Sequence, residues 1–379
     1  MHRSYGIMWK TVSEDCNLAC DYCYYSRVLG KPAQVRRPTD VVLEKVLREY
    51  LATCGATASI AWQGGEPLLA GLPFFRRVVA LEAEYAHPPM TISNAVQTNG
   101  VLINERWAQF FREYRFLVGV SLDGPEAIHD AHRVDGHGRG SYARVRRGIE
   151  FLQEAGVEFN ILTVVGPHNV EHGAELLEFY RRAGFAWIQF IPQMGFHSQQ
   201  PGDPGAYAIS PDAYGQFLCD TFDAWYGDGQ PTMSIRYFDN VLQTYVGVAP
   251  DICTMQAKCP PHLIVDSNGD LYPCDFFFDE EWRLGNIRDL ALADAFETAP
   301  YARFAAMKPD LPEKCQTCPW LKHCRGGCPR NRMELDGTTD HPDYFCAAFE
   351  QFFAYADDRL KELAKPIRTE RSRRALLRL

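Results

Sequence analysis

Cys16-Asn17-Leu18-Ala19-Cys20-Asp21-Tyr22-Cys23 sets three cysteines at the spacing C-x3-C-x2-C, with Tyr24 and Tyr25 directly after them. Three thiolates within eight residues can converge on one metal centre without help from the rest of the chain. A closed structural zinc site takes four ligands, and no histidine stands nearby to be the fourth. Iron–sulfur clusters are held by cysteine thiolates, usually four, so three point to a four-iron cluster with one iron left open. With 13 cysteines in 379 residues, chance produces this spacing in about 0.015 of such chains. The competing reading is three buried or zinc-binding cysteines.

Outward from this stretch the chain alternates. Residues 5–12 read as a strand leading into the cysteine loop. Residues 40–54 carry Val42, Leu43, Val46, Leu47 and Leu51 at helical spacing, with Thr39 placed to cap them. Further strands are expected at 59–63, 91–97, 116–122, 158–165 and 187–191, and helices at 73–86, 104–114, 141–155 and 170–183. Alternation at this pitch means βαβ units and a parallel sheet. The expected fold class is therefore α/β, a partial (β/α)6 barrel of six strands with function at their carboxyl ends. The cysteine loop follows the first strand, where such a barrel places its chemistry.

After residue 191 the pattern changes. Residues 192–210, rich in Gly, Gln and Pro, read as a long loop, and helices are expected at 211–226 and 237–246. From Cys253 to Cys346, eight of the thirteen cysteines crowd into 94 residues with few apolar-periodic runs, so metal centres are expected to stand in for a core. A last helix is expected at 344–363. The tail from Lys365, six Lys and Arg against one Glu, is expected to be a solvated or disordered end. The expected domains are a barrel with its helical connection over 1–240, a cysteine-rich domain over 241–348, and a helix with a basic tail over 349–379.

Composition narrows the function. Hydrophobic content of 46% and charged content of 23% are those of an ordinary globule, and a net charge of −9 leaves no footprint for nucleic acid. No apolar run approaches a membrane span and no signal peptide heads the chain, so a cytoplasmic location is expected. In that reducing compartment thirteen cysteines read as metal ligands rather than disulfides. The tight run Cys315, Cys318, Cys324 and Cys328 joins Cys253, Cys259, Cys274 and Cys346 to make eight thiolates, enough for two four-ligand sites. Two zinc ribbons or two clusters satisfy that count, and spacing leaves the partition open. Cys54 and Cys219 remain, both in helical apolar patterns and expected to be buried, inert thiols.

The leading cysteine motif resembles the cluster loop of radical S-adenosylmethionine (AdoMet) enzymes. The resemblance implies that AdoMet chelates the open iron and yields a 5′-deoxyadenosyl radical that abstracts hydrogen. Gly64-Gly65-Glu66-Pro67, after the second strand, looks like that family's AdoMet motif, in which backbone groups and Glu66 hold the methionine ammonium. Glycines there permit close approach of backbone to ligand. Asn99 and Asp123 also fall at strand ends before Gly, where turn formation is an equal reading, and Ser121 is a ribose contact by the same resemblance. The C-terminal field resembles the SPASM extension. That implies one auxiliary 4Fe–4S cluster on Cys253, Cys259, Cys274 and Cys328 and a second on Cys315, Cys318, Cys324 and Cys346, three clusters in all.

Gln63 before GGEP, residues 234–239 (SIRYFD), 272–276 (YPCDF) and 282–287 (WRLGNI) resemble the anaerobic sulfatase-maturating enzymes, over nearly the whole chain. The implied reaction oxidises a Cys or Ser side chain of a sulfatase to Cα-formylglycine: a Cβ hydrogen is abstracted, a base takes the thiol or hydroxyl proton, and an electron leaves through an auxiliary cluster. Asp275, beside Cys274, matches the family's base. An ordinary aspartate near pKa 3.9 lies far below a thiol near 8.5, an uphill transfer of roughly 6 kcal/mol. Deprotonation is therefore expected after the radical forms and acidifies the group, with burial raising the carboxyl. Tyr25, Gln63, Arg236 and Tyr237 are expected to hold the substrate peptide or shape the pocket, and a small donor such as flavodoxin or ferredoxin to supply electrons. Competing readings are another SPASM peptide modifier, crosslinking or desaturating a precursor peptide, and a non-catalytic electron carrier. The barrel pattern and GGEP argue against the carrier.

Overall fold

The computed structural model describes residues 5–23, 35–194, 208–333 and 337–376, with side chains to residue 369. Tyr25 and most of the loop expected at 192–210 lie outside the described residues. Among the described residues one sheet runs through the molecule, built from β1 (Gly6–Lys10), β2 (Thr57–Gln63), β3 (Thr91–Thr98), β4 (Leu117–Ser121), β5 (Phe159–Val165), β6 (Trp187–Pro192), β7 (Ser234–Ile235), β8 (His262–Asp266), β9 (Asp270–Tyr272) and β10 (Gly285–Asn286). Their spatial order is β10-β9-β8-β1-β2-β3-β4-β5-β6-β7. The six expected strands pair in parallel in chain order. Beyond them β7 extends one edge and β8 pairs in parallel with β1 on the other.

Local chemistry explains most of the elements. Helix Asp40–Thr53 starts at Thr39, whose hydroxyl accepts from the Val42 amide at 3.4 Å, and buries Val42, Leu43, Val46, Leu47, Tyr50 and Leu51. The Tyr50 hydroxyl bonds to the carbonyls of Tyr5 (2.9 Å) and Ser59 (2.8 Å), fixing this helix to the starts of β1 and β2. On the outer face of those strands Trp9 stacks on Trp62, ring centres 5.4 Å apart, and both are fully buried. Asn104 caps helix Glu105–Glu113 through the Trp107 amide at 3.2 Å.

The structure departs from the sequence reading at four points. Helix Glu126–His132 was not foreseen, because seven residues with no apolar stripe give no periodic signal. The final helix runs Cys346–Leu376, so the backbone of the basic tail is helical well past residue 363. The segment is rich in Ala, Leu, Glu, Lys and Arg, all strong helix formers, and continues through Pro366. The cysteine-rich segment also has a core of its own. β8 brings Leu263 and Val265 onto the main core, where Leu271, Leu284 and Ile287 join them, and Phe277, Trp282 and Phe304 form a second cluster. Metal centres therefore supplement apolar packing there. The boundary expected at 240 falls inside helix Arg236–Tyr245.

Candidate active site

The carboxyl ends of β1 to β6 converge on the cysteine loop, and each contributes a contact. After β2, the Glu66 amide donates to the Asp15 carbonyl at 2.8 Å, just ahead of Cys16. Gly64 and Gly65 have positive φ, 81° and 48°. A Cβ on Gly65 would stand 2.0 Å from the Asp15 carbonyl oxygen, and one on Gly64 2.8 Å from that of Ser13. The two glycines thus let the turn lie directly against the backbone that leads into the cysteines.

The Glu66 carboxylate is fully buried and accepts from the Leu68 amide (3.0 Å), the Thr98 hydroxyl (2.7 Å) and the Asn99 amide (2.7 Å). Burial raises its pKa to about 7, against the pull of those donors. It binds the end of β2 to the end of β3. Asn99 both forms its turn, accepting from the Val101 amide at 3.0 Å, and reaches the cysteine loop. Its side-chain nitrogen lies 2.7 Å from the Asn17 oxygen and 3.6 Å from the Cys16 sulfur.

After β4, Ser121 is buried at the strand end and Asp123 is completely enclosed. Burial would raise the Asp123 carboxyl, but the charge and hydrogen bonds of Arg133 outweigh it and hold it below its ordinary value. Arg133 Nε lies 2.7 Å from Asp123 Oδ2, the Val164 amide donates to Oδ1 at 3.0 Å, and the Tyr22 hydroxyl donates to the same carboxylate. Because Tyr22 sits between Cys20 and Cys23, Asp123 anchors the cysteine loop from inside the barrel. After β6, the Gln193 side chain donates to the Tyr22 carbonyl at 3.3 Å. His168, after β5, stacks on Tyr22 with ring centres 6.0 Å apart. Its ring nitrogens are buried with no hydrogen-bond partner among the described residues, and burial lowers its pKa to about 4. A neutral, unsatisfied imidazole beside the cysteine loop suits a polar ligand such as AdoMet at this end of the barrel.

Sequence reasoning passed over Lys10. It stands in register with Gln63 on one side and Asp266 on the other. Residues in register on neighbouring strands share a face, so the three form a polar row. Lys10 is 4% exposed and its ammonium lies 2.9 Å from Asp275 Oδ1 and 4.0 Å from the centre of the Phe278 ring. Lys10 thereby joins two residues predicted separately, Gln63 and Asp275. The only available signal was one lysine closing an apolar strand, in phase with Met8 and out of phase with Trp9. Arg236 lies at the rim, Nη1 2.8 Å from the Gln189 oxygen. Tyr237 packs among Phe238, Phe349 and Phe352.

The eight C-terminal cysteines separate into two groups in space. A pocket is lined by Cys315, Cys318, Cys324 and Cys346, closed by Trp320 and Phe353. Electrostatic coupling links Cys253, Cys259 and Cys274 to Cys328. Burial pushes the Cys259 and Cys324 thiols up to about 12 and also raises Cys274. Such thiols become ligands when bound metal supplies the compensating charge, so the donor sets fit sulfur-ligated clusters. Among the described residues no three Cys, His, Asp or Glu side chains stand close enough to hold one single ion. Cys54 and Cys219 are buried, their thiols raised by burial, as expected of inert cysteines.

Comparison with known proteins bears on both regions. Residues 11–180 match the model of the radical SAM superfamily, and residues 259–319 that of an iron–sulfur cluster-binding domain, SPASM. A cysteine-type anaerobic sulfatase-maturating enzyme of Clostridium perfringens (strain 13) is 37% identical over 96% of this chain and 99% of its own. A serine-type enzyme from Bacteroides thetaiotaomicron is 36% identical over 94% of this chain and 91% of its own. The solved structure titled native anSMEcpe with bound AdoMet and Cp18Cys peptide superposes with a TM-score of 0.87 at 35% identity, covering 96% of this chain and 99% of that one.

Proposed function

Because the chain belongs to the anaerobic sulfatase-maturating enzymes of the radical SAM superfamily, we propose that it oxidises a cysteine or serine side chain of a sulfatase polypeptide to Cα-formylglycine. The observation that carries this reading is the match to such enzymes along nearly the whole chain, cysteine-rich region included. AdoMet, bound at the cluster of the N-terminal loop, supplies the radical that abstracts the hydrogen atom.

The chain's own residues then have distinct tasks. Cys16, Cys20 and Cys23 hold the AdoMet-binding 4Fe–4S cluster. Backbone groups of Gly64 and Gly65, with Ser121, face AdoMet. Glu66 fixes the turn through three donors, Leu68, Thr98 and Asn99, and with the backbone groups holds the methionine ammonium of AdoMet. Asp275 receives the substrate thiol or hydroxyl proton, and Lys10, 2.9 Å away, holds that carboxylate in place. Gln63, beside Lys10 in the polar row, and Arg236 contact the peptide. Tyr237 shapes the wall behind them, and Tyr25 is assigned to the substrate side on its sequence position. Cys253, Cys259, Cys274 and Cys328 hold the auxiliary cluster nearer Asp275, and Cys315, Cys318, Cys324 and Cys346 the other.

Among the described residues no helix is long and apolar enough to cross a membrane. We place the enzyme in the cytoplasm, with a flavodoxin- or ferredoxin-like donor. The test is anaerobic incubation of reconstituted protein with AdoMet, a reductant and peptides carrying either a Cys or a Ser sulfatase motif. Mass spectrometry should find 5′-deoxyadenosine and an aldehyde peptide. AdoMet cleavage with no aldehyde from either peptide would favour a different peptide modifier, and absence of AdoMet cleavage an electron carrier.

A further inference from the structure

Two cations lie buried inside the cysteine-rich region, where an apolar core would ordinarily exclude them. Arg332 is fully buried and spends its guanidinium on the carbonyls of Gly326 (2.9 Å), Met307 (3.2 Å), Asp310 (2.8 Å) and Lys308 (3.4 Å). It is a backbone clamp. Lys308 is different. It is 1% exposed, at the end of helix Ala299–Met307, and among the described residues its ammonium donates to two carbonyls, those of Thr254 (3.0 Å) and Gly327. Each of these residues adjoins a cysteine, Thr254 following Cys253 and Gly327 preceding Cys328. The ammonium therefore sits between the two chain segments that bring those thiols together.

From this placement we infer that Lys308 is a positioning residue and charge partner for the auxiliary cluster held by Cys253, Cys259, Cys274 and Cys328, raising that cluster's affinity for an electron. The inference rests on the ligand set assigned under the proposed function. Its physical basis is simple. Reduction adds one negative charge to a cluster, and net charge, hydrogen bonding and burial around a cluster set its potential. A buried ammonium interacts with that charge in a medium that screens it poorly. Burial, by disfavouring the charged form, pulls the Lys308 pKa down; the thiols of Cys328, Cys259 and Cys253 act against that fall and so favour its charge, while Arg332 adds to it. Among the described residues no carboxylate lies within hydrogen-bond reach of its ammonium, whose acceptors are both carbonyls. The two hydrogen bonds thus hold the positive charge between the segments that carry Cys253 and Cys328. In the proposed reaction this favours uptake of the single electron that the substrate radical loses as it becomes the oxidised product.

The test compares Lys308→Gln, which keeps an N–H donor but carries no charge, with Lys308→Arg, which keeps the charge. Reconstituted holoenzyme is titrated potentiometrically under EPR, with iron measured in parallel. Cys259→Ala marks which midpoint belongs to the assigned cluster. Lys308→Gln should keep wild-type iron and lower that one midpoint, by about a tenfold change in the reduced-to-oxidised ratio or 59 mV for one electron, and Lys308→Arg should restore it. Iron lost from Lys308→Gln but retained in Lys308→Arg would also support the charge role. Full iron with every midpoint unchanged in Lys308→Gln, or iron lost from both variants, would overturn it. A shifted midpoint that Cys259→Ala leaves intact would overturn the ligand set while leaving the charge effect standing.

Discussion

The N-terminal and C-terminal cysteine regions hold their sulfurs in opposite ways. The first offers three thiols on one short loop, and the ends of the barrel strands hold that loop: Asn99 at Cys16, the Asp123 carboxylate at Tyr22, Gln193 at the Tyr22 carbonyl. The second gathers eight thiols from 94 residues by short helices, turns and buried ions. There Lys308 bridges the Cys253 and Cys328 segments, and Asp343 accepts from the Cys328 amide at 2.8 Å. The difference teaches that a reactive centre with an open position needs a rigid scaffold of fixed strands around it, whereas a closed centre can act as part of its own scaffold. Lys10 and Asp275 lie where the two regions meet, because β8 carries the second region's backbone alongside β1.

The largest effect should come from emptying the first region alone. Replacing Cys16, Cys20 and Cys23 by Ala should abolish 5′-deoxyadenosine formation and lower iron from about twelve to about eight per chain, one four-iron cluster lost. Retained AdoMet cleavage in this variant would end the assignment, and iron near four with bound zinc in the wild type would show that the second region holds no clusters.

Asp275→Asn tests the junction. It should still cleave AdoMet, while aldehyde peptide falls by about 10²-fold or more, in the range for loss of a general base. The quantity to follow is the ratio of 5′-deoxyadenosine to aldehyde peptide; an unchanged ratio at full yield would make Asp275 structural. Lys10→Met removes the other half of the same buried pair. Leaving Asp275 enclosed without its cation should cost about 3–5 kcal/mol of stability, read from denaturant unfolding of the reconstituted protein. The double variant Lys10→Met/Asp275→Asn should recover part of that loss but none of the aldehyde activity.

The smallest effect concerns the barrel away from its ligands. Burial raises Glu82 to about 7, although Asn94 donates to both its oxygens at 3.0 Å. A carboxyl that binds its proton more tightly folded than unfolded stabilises the fold below its ordinary value near 4.5, and that contribution is lost as pH rises through about 7. Glu82→Gln should therefore gain on wild type by about 2–3 kcal/mol between pH 4.5 and pH 8. A difference that stays constant with pH would show that Glu82 does not titrate in this window.

Much of this was legible along the chain. Thr39 caps its helix because a cap is decided by three or four adjacent residues. The six parallel strands followed from alternation, and the C-x3-C-x2-C loop from spacing alone. Helix Glu126–His132 had no periodic stripe, yet it leads into Arg133, which holds Asp123. The strand β8, five residues long, carried no sign that it would lie against β1 more than 250 positions earlier.

The sequence by itself determined the chemistry: three thiols on one loop, glycines beside a glutamate, and eight further thiols whose count implied two more centres. Each is a property of neighbouring residues or of composition. Only the tertiary structure decided that Gly64 and Gly65 press on the cysteine loop's own backbone, that Lys10 lies beside Gln63 and pairs with Asp275, and that Lys308 ties the Cys253 and Cys328 segments together. These depend on strand register and on which buried charge meets which. Such pairings are set by packing between segments far apart in the chain, and no local pattern encodes them.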